Sequence, residues 1–478
     1  MTATFPPRLW RITRSVVKWT AIAVGVLAIL IILAYWEEDW RGAHDWAATK
    51  KELLGKGEVL DLRDVCPPGR PKDDLSKIPI FAEVYAQPPF HSTGSIPTWQ
   101  PLTTRLDKLS VDLSPKGYGK IGPPSSASFL NREMTDLPGW QRFYRSIPEG
   151  QLPAGGESPA SDVLRALSRY DSDLNEIKKA VENPEAFFPI NYGRPSDTRF
   201  EQVIRALEIA KVLSLRGSAH LANNEPSLGK DDFIFALKLA RPLEKNCFAI
   251  NCLVDAGVRA ISNSILWEGI HRHSWNSRDL QQIESALAET DMLAVCVRSL
   301  RVERAYSLAY RDFMENHGPD AAPAEAGNYR AVWYLLKLIP AGWWNQDRKV
   351  CCLNFQKLID ATNIEQGRFA KMGDVKSGAQ HLTEKMVEAE TDRRLARLAC
   401  RLEGFYLVNK RYPDSLQELG GLPPHLNEEV LTGNPLHYRH EGESYLLYST
   451  SWDGKDRGGV GRKRNQNDAA YDWIWPGP

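Results

Sequence analysis

The sequence predicts a mainly α protein with an N-terminal transmembrane helix, an irregular or repeat-like helical array and a small α+β C-terminal module. Three observations carry this reading. The run from Trp19 to Trp36 holds no charge. From Ser161 to Lys410 apolar residues recur at helical spacing. Near the C-terminus two short apolar runs flank Glu441-Gly442-Glu443, the pattern of a hairpin. The expected boundaries are a cytoplasmic N-terminus over 1–18, a transmembrane helix over 19–36, a Pro-rich extended collar over 37–160, a helical domain over 161–382 and a helix with a β-hairpin over 383–478.

At about 1.5 Å rise per residue, the run from Trp19 to Trp36 just spans a hydrocarbon core of roughly 30 Å, and Trp19, Tyr35 and Trp36 fall where interfacial aromatics belong. Arg8, Arg11, Arg14 and Lys18 before an apolar run also describe a secretory signal. The flank separates the two readings, because Tyr35-Trp36-Glu37-Glu38-Asp39-Trp40 is bulky and acidic where a peptidase needs small residues. An uncleaved anchor is expected. The cations before the run, weighed against Arg41, Lys50 and Lys51 after it, place the N-terminus in the cytoplasm and the bulk of the chain in the periplasm or outside the cell.

The 478 residues carry 60 basic and 60 acidic side chains, so no net field gathers nucleic acid, and nucleic acid is not an expected partner. Roughly 440 residues follow the run, more than the about 250 to 300 that one core usually holds, so two or more units are expected. The seven cysteines show neither a CxxC nor a ligand-like spacing. Most lie in apolar helical contexts, where a thiol behaves as a small buried hydrophobe.

From Asp39 to about Gly57 the pattern is a short helix leaving the bilayer. Between Cys66 and Pro153 prolines are dense enough to forbid long helices and central strands. Ile78 to Tyr85 and Leu109 to Leu113 read as short strands or extended strips. Gly117-Tyr118-Gly119-Lys120-Ile121-Gly122 matches GxGxxG by letter, but Ser114-Pro115 before it and Pro123-Pro124 after it supply neither the strand nor the helix a dinucleotide site needs.

In the helical region, Val163, Leu164, Leu167 and Tyr170 recur at helical spacing, as do Leu207, Ala210, Val212, Leu215 and Ala219. Pro184, Pro189, Pro226, Pro242, Gly318-Pro319 and Pro340 divide the pattern into hairpin-length pieces. The stretch from Val212 to Leu221, followed by Phe233 to Leu237, resembles one tetratricopeptide repeat, with Gly217, Phe233 and Ala236 at the family's small, aromatic and small positions. It departs at Gly229, His220 and Arg241, and its proline is displaced to Pro242. The resemblance implies that Phe233 and Ala236 pack between helical hairpins. An irregular helical domain is the alternative.

Leu395, Leu398, Ala399, Leu402, Phe405 and Tyr406 line one face of a helix expected from about Thr383 to Lys410, stopped at Tyr412-Pro413. Leu436 to Arg439 and Tyr445 to Tyr448 follow as hairpin strands, and Trp452 to Gly459 as a turn-rich loop. This order resembles the globular part of a type II secretion major pseudopilin, although a pseudopilin carries its membrane segment at the start of this same helix. The whole layout also resembles a group of uncharacterised bacterial single-pass proteins with a helical middle and this ending. The pseudopilin resemblance implies a calcium ion held by Asp453, Asp456, Asp468 and Asp472. Lys455, Arg457, Arg462, Lys463 and Arg464 in the same loop oppose a divalent cation, and a turn cross-linked by Asp/Arg pairs is the alternative.

The sequence holds no HExxH, GxSxG or Walker loop, so the common hydrolase and phosphate signatures are absent and no catalytic or cofactor-binding residue is singled out. His271 and His273 read as helix-end residues. Glu388, Glu390, Asp392, Arg393, Arg394 and Arg397 read as a solvated ion-pair face. Trp333 to Pro340, with Trp343-Trp344, is too short to span a bilayer and reads as core packing, with membrane contact or a ligand groove as the alternative. The functional expectation is a membrane-anchored, exported interaction or scaffold protein with a protein partner. The alternative is a cell-envelope enzyme whose site is assembled from residues distant in sequence.

Overall fold

The computed structural model describes residues 7–86, 104–113, 123–124, 129–147, 152, 158–193, 198, 200–318, 335, 337–370, 378–461 and 471–478. The GxGxxG stretch and Asp468 lie outside these. The protein is mainly helical, and its chain divides into two units, Met1–Leu60 with Arg311–Leu353, and Asp61–Tyr310 with Asn354–Pro478.

In the first unit, helix α1 (Pro7–Gly55) is continuous over 49 residues. Neither Gly25 nor Gly42 breaks it, so the expected exit helix is a direct extension of the apolar run. It ends where Gly57 takes φ +78° and the Glu58 N–H reaches back to the Leu53 carbonyl at 3.0 Å. Among the described residues one helix is long and apolar enough to cross a membrane, and its apolar window, of mean hydropathy 2.5, is not buried against protein. Beside the polar half of α1 lies the start of a later helix, Ala341–Asp360. The Gly342 N–H donates to Asp39 at 2.8 Å, and Lys349 pairs with Asp45 at 2.8 Å. A Cβ on Gly42 would stand 2.2 Å from the Gly342 carbonyl oxygen, and one on Gly342 would stand 1.9 Å from that of Glu38. Backbone meets backbone there, which only glycine permits.

The second unit opens with short helices, α2 (Leu62–Val65), α3 (Pro79–Ala86), α4 (Arg105–Lys108), α5 (Leu137–Ser146), α6 (Pro159–Leu167) and α7 (Asp171–Val181). Ile78 to Tyr85, expected to be extended, is therefore largely helical. Pro79, Pro138 and Pro159 each fall in a first helical turn, where the missing N–H has no partner to lose. Leu109 to Leu113 forms a turn rather than a strand, with Leu113 at φ +57°. Ile80, Phe81, Leu106, Phe143, Val163 and Leu167 are buried in one core with residues of α8 (Glu201–Ala222), α9 (Pro226–Asn246) and the first half of α10 (Ala249–His271).

Helices α8, α9 and α10 pack pairwise. Gly217 allows the Ile265 side chain to reach the α8 backbone, since a Cβ would stand 2.9 Å from it. Phe233 and Ala236 are fully buried. Helix α11 (Ser277–Ala288) starts at a capping box of Asn276 and Asp279. Two helices, α12 (Met292–His317) and α13 (Ala341–Asp360), contribute residues to both units. A two-stranded ribbon of β1 (Thr362–Asn363) and β2 (Arg368–Phe369) precedes α14 (Gly378–Asn409).

The C-terminal sheet contains β3 (His437–Glu441), β4 (Ser444–Ser449) and β5 (Trp473–Pro476), antiparallel in the order β3-β4-β5. Gly442, at φ +70°, makes the hairpin turn that the sequence predicts. Alternation places Tyr445, Leu447 and Trp475 in the core with Leu395, Leu398 and Leu402 of α14, while Leu446, Tyr448 and Ile474 form a small cluster on the other face. Strand β5 is unanticipated: its short run ends in proline, which only a sheet edge tolerates.

Two expectations are overturned. The charges of α14 are not a solvated face, because Glu390 and Arg394 are only 1% and 3% exposed. Arg394 donates to Glu390 at 2.8 Å, to the Glu428 carbonyl at 2.8 Å and to the Gly367 carbonyl at 2.6 Å, so burial leaves its guanidinium well partnered. Nor does most of the segment around Pro340 lie in a core: Pro340 is buried and Ile339 and Trp344 half-buried, but Leu335, Leu338 and Trp343 are 64%, 65% and 50% exposed. Trp333, Tyr334 and Leu336 lie outside the described residues.

Truncating Phe233→Ala removes a fully buried ring and is expected to lower stability by about 3 to 5 kcal/mol in urea unfolding. An unchanged midpoint would contradict the packing of α9.

Candidate functional site

An uncommon local geometry closes α10. The Arg272 N–H returns to Glu268 at 3.0 Å, the His273 N–H to Ile270 at 2.9 Å and the Ser274 N–H to Gly269 at 2.9 Å. These bonds make a Schellman stop whose left-handed position, normally glycine, is His273 at φ +50°. A side chain there costs on the order of 1 kcal/mol. The ring has a specific partner: Nδ1 lies 2.9 Å from Oε1 of Glu403, whose side chain is fully buried. The other oxygen, Oε2, accepts the Tyr412 hydroxyl at 3.0 Å.

Aromatic rings extend the cluster. His273 stacks on Tyr406 at 4.4 Å, Tyr406 on Tyr412 at 4.9 Å, and Tyr412 meets Tyr445 edge-on at 4.9 Å. Tyr412 is placed by the end of α14, where Lys410 turns the chain at φ +55°. Burial pushes the Glu403 carboxyl above its ordinary value of 4.5, against the opposing pull of His273 and Tyr412. The histidine side chain is 37% exposed. Chemically this is an imidazole held at one nitrogen by a buried carboxylate, an arrangement able to orient the ring and pass a proton.

One turn earlier, Glu268 is 1% exposed. Its Oε1 accepts the Thr135 N–H at 2.9 Å, the Thr135 hydroxyl at 2.5 Å and the Ser218 hydroxyl at 3.0 Å, joining three segments. In the first half of α10, Arg259 is shared by Asp255 at 2.7 Å and Glu244 at 2.6 Å. Burial pushes the Asp255 carboxyl up to about 7; Arg259 opposes this and the second carboxylate, Glu244, reinforces it.

The expected calcium ligands are differently engaged. Asp453 accepts Arg457 Nη1 at 3.0 Å and the Lys455 N–H at 3.1 Å, and its other oxygen accepts Arg457 Nη2. The Arg457 guanidinium holds the Asp453 carboxyl well below the usual range. Asp456 accepts the Gly458 N–H at 2.7 Å. Asp472 is buried and accepts the N–H groups of Arg457 at 3.0 Å and Gly459 at 2.9 Å, clasping the loop to β5. Among the described residues no three His, Cys, Asp or Glu side chains form a group able to hold a metal ion. Six cysteines are buried and Cys351 is partly exposed; burial pushes the Cys66 and Cys296 thiols up to about 12.

The Glu403 cluster escaped sequence reading because its members are 130 residues apart. One signal was present: Glu403 falls between Ala399 and Tyr406 on the apolar stripe of α14, where a charge needs a partner. No family model matches the sequence, and no curated protein or solved structure matches it either. The likenesses to a tetratricopeptide repeat and to a pseudopilin rest on the residues already quoted.

Because its folded pKa is raised, Glu403 favours the folded state fully below about pH 4.5, and that contribution is lost as pH rises through the folded value. Removing His273 takes away a group that stabilises the carboxylate and raises the folded value further. His273→Ala is therefore expected to cost little near about pH 4 and about 1 to 3 kcal/mol near about pH 8, read by urea unfolding. A loss independent of pH would contradict the coupling.

Proposed function

We propose that the chain is a single-pass membrane protein with its N-terminus in the cytoplasm and the residues after Trp36 in the periplasm or outside the cell, where they serve as an interaction or scaffold surface for a protein partner. The observation that carries this reading is α1, in which an unburied apolar stretch runs without a break into a polar helix. Orientation is supported by Arg8, Arg11, Arg14 and Lys18 ahead of the run. The buried charges at Arg394, Glu268 and Arg259 join helices and loops to one another, as a rigid scaffold requires. A surface depression of about 580 Å³, lined by Ile78, Pro79, Ser172, Asn175, Glu176, Lys179 and Ala180, includes none of them. Calcium binding by Asp453, Asp456, Asp468 and Asp472 would require Arg457 to release Asp453.

One observation favours a second reading, a cell-envelope enzyme. His273, held in a left-handed conformation against buried Glu403 and part exposed, has the form of a general base.

A periplasm-active reporter fused after Pro478 is expected to be active and a cytoplasm-active reporter to be silent; the reverse would overturn the orientation. The detergent-solubilised full chain is further expected to co-elute with a stoichiometric protein partner. Elution as a lone chain would contradict the scaffold reading.

A further inference from the structure

Leu338, Gly342 and Trp343 lie beside α1 at the level where its apolar run ends. The Tyr35 hydroxyl donates to the Leu338 carbonyl, 303 positions on. Asp39 accepts from Gly342, again 303 positions on, and Asp45 pairs with Lys349, 304 positions on. This nearly constant offset means that α13 starts alongside α1 and runs parallel to it. Leu338 is thereby fixed level with Tyr35, and Trp343 is tied to Glu38 by its Nε1 donor at 3.1 Å.

The exposed side chains change character together at this level. On α1, Ile31, Ile32, Leu33 and Trp36 are 49%, 66%, 54% and 68% exposed, and charge begins at Glu37. On the second segment, Leu335, Leu338 and Trp343 are exposed, while from Ala341 to Gln346 there is no charge until Asp347. In water three large apolar side chains held out in this way would be unfavourable. In the boundary between headgroups and acyl chains they are at home, and the exposed Lys337 can extend its amine to the headgroups.

We propose that Leu335, Leu338 and Trp343 form a second, interfacial contact with the bilayer, seated beside the exit of α1. The proposal rests on the reading of α1 as a membrane-spanning helix. The contact would fix the rotation of α1 and the depth at which Tyr35 and Trp36 sit, which a lone spanning helix leaves open.

The test places a photoreactive benzophenone side chain, one position at a time, at Ile29, Leu335, Leu338 and Val350 of the full chain in phosphatidylcholine nanodiscs. Val350 is 55% exposed but lies roughly 14 Å along α13 from Ala341. Illumination is expected to give lipid adducts at Leu335 and Leu338 comparable with those at Ile29 and several-fold above those at Val350. Adducts at Ile29 without adducts at Leu335 and Leu338 would overturn the interfacial contact and leave the span standing. No lipid adduct at Ile29 would overturn the span, and the proposal with it. A chain-to-chain adduct at Leu338 in place of a lipid adduct would assign the patch to a second copy and overturn the proposal.

Discussion

A charge taken out of water costs several kcal/mol unless partners replace the solvent. Helix α14 takes Glu390, Arg394 and Glu403 out of water together, and much of the C-terminal architecture answers that requirement. The β1–β2 turn offers the Gly367 carbonyl and the loop before β3 offers that of Glu428, both to Arg394. The end of α10 turns through an unfavourable conformation to set His273 on Glu403, and the Tyr412-Pro413 stop returns a hydroxyl to the same carboxylate. Strands, turns and the central helix thus converge on one helix because its polar groups accept few other arrangements. Apolar packing of Leu395, Leu398 and Leu402 supplies the driving force, while the charges select the geometry.

What could be read from the sequence follows from how local each signal is. The long apolar helix, the hairpin around Gly442 and the extent of α14 depend on neighbours within a few residues, and all three are visible in the chain. The burial of Glu390 and Arg394 was not legible, because ion pairs at three- and four-residue spacing look alike on a solvated face and inside a core. The role of His273 depends on a residue 130 positions away, and β5 on a sheet formed by strands distant from it in sequence. Proline density misled in a different way: a first-turn proline ends nothing, and Pro79 and Pro159 open helices instead of breaking them.

In the other unit the constraint is close approach. Gly42 and Gly342 let two helix backbones touch, and the hydrogen bonds of Asp39 and Asp45 set the register. A long helix that leaves an apolar run with a second helix fastened at its exit has the form of a stiffened anchor. Such a helix fits the proposed role of holding a folded surface at a membrane. The imidazole beside Glu403 is the feature from which a chemical activity would start.

The measurement that most directly tests the central claim is the urea stability of Arg394→Met, which keeps much of the aliphatic stem and removes the guanidinium. The buried network predicts a loss of about 3 to 5 kcal/mol, because two carbonyls lose a donor and Glu390 keeps only Arg393 and the Met292 N–H among its partners. A loss under about 1 kcal/mol, the range of an exposed ion pair, would contradict it.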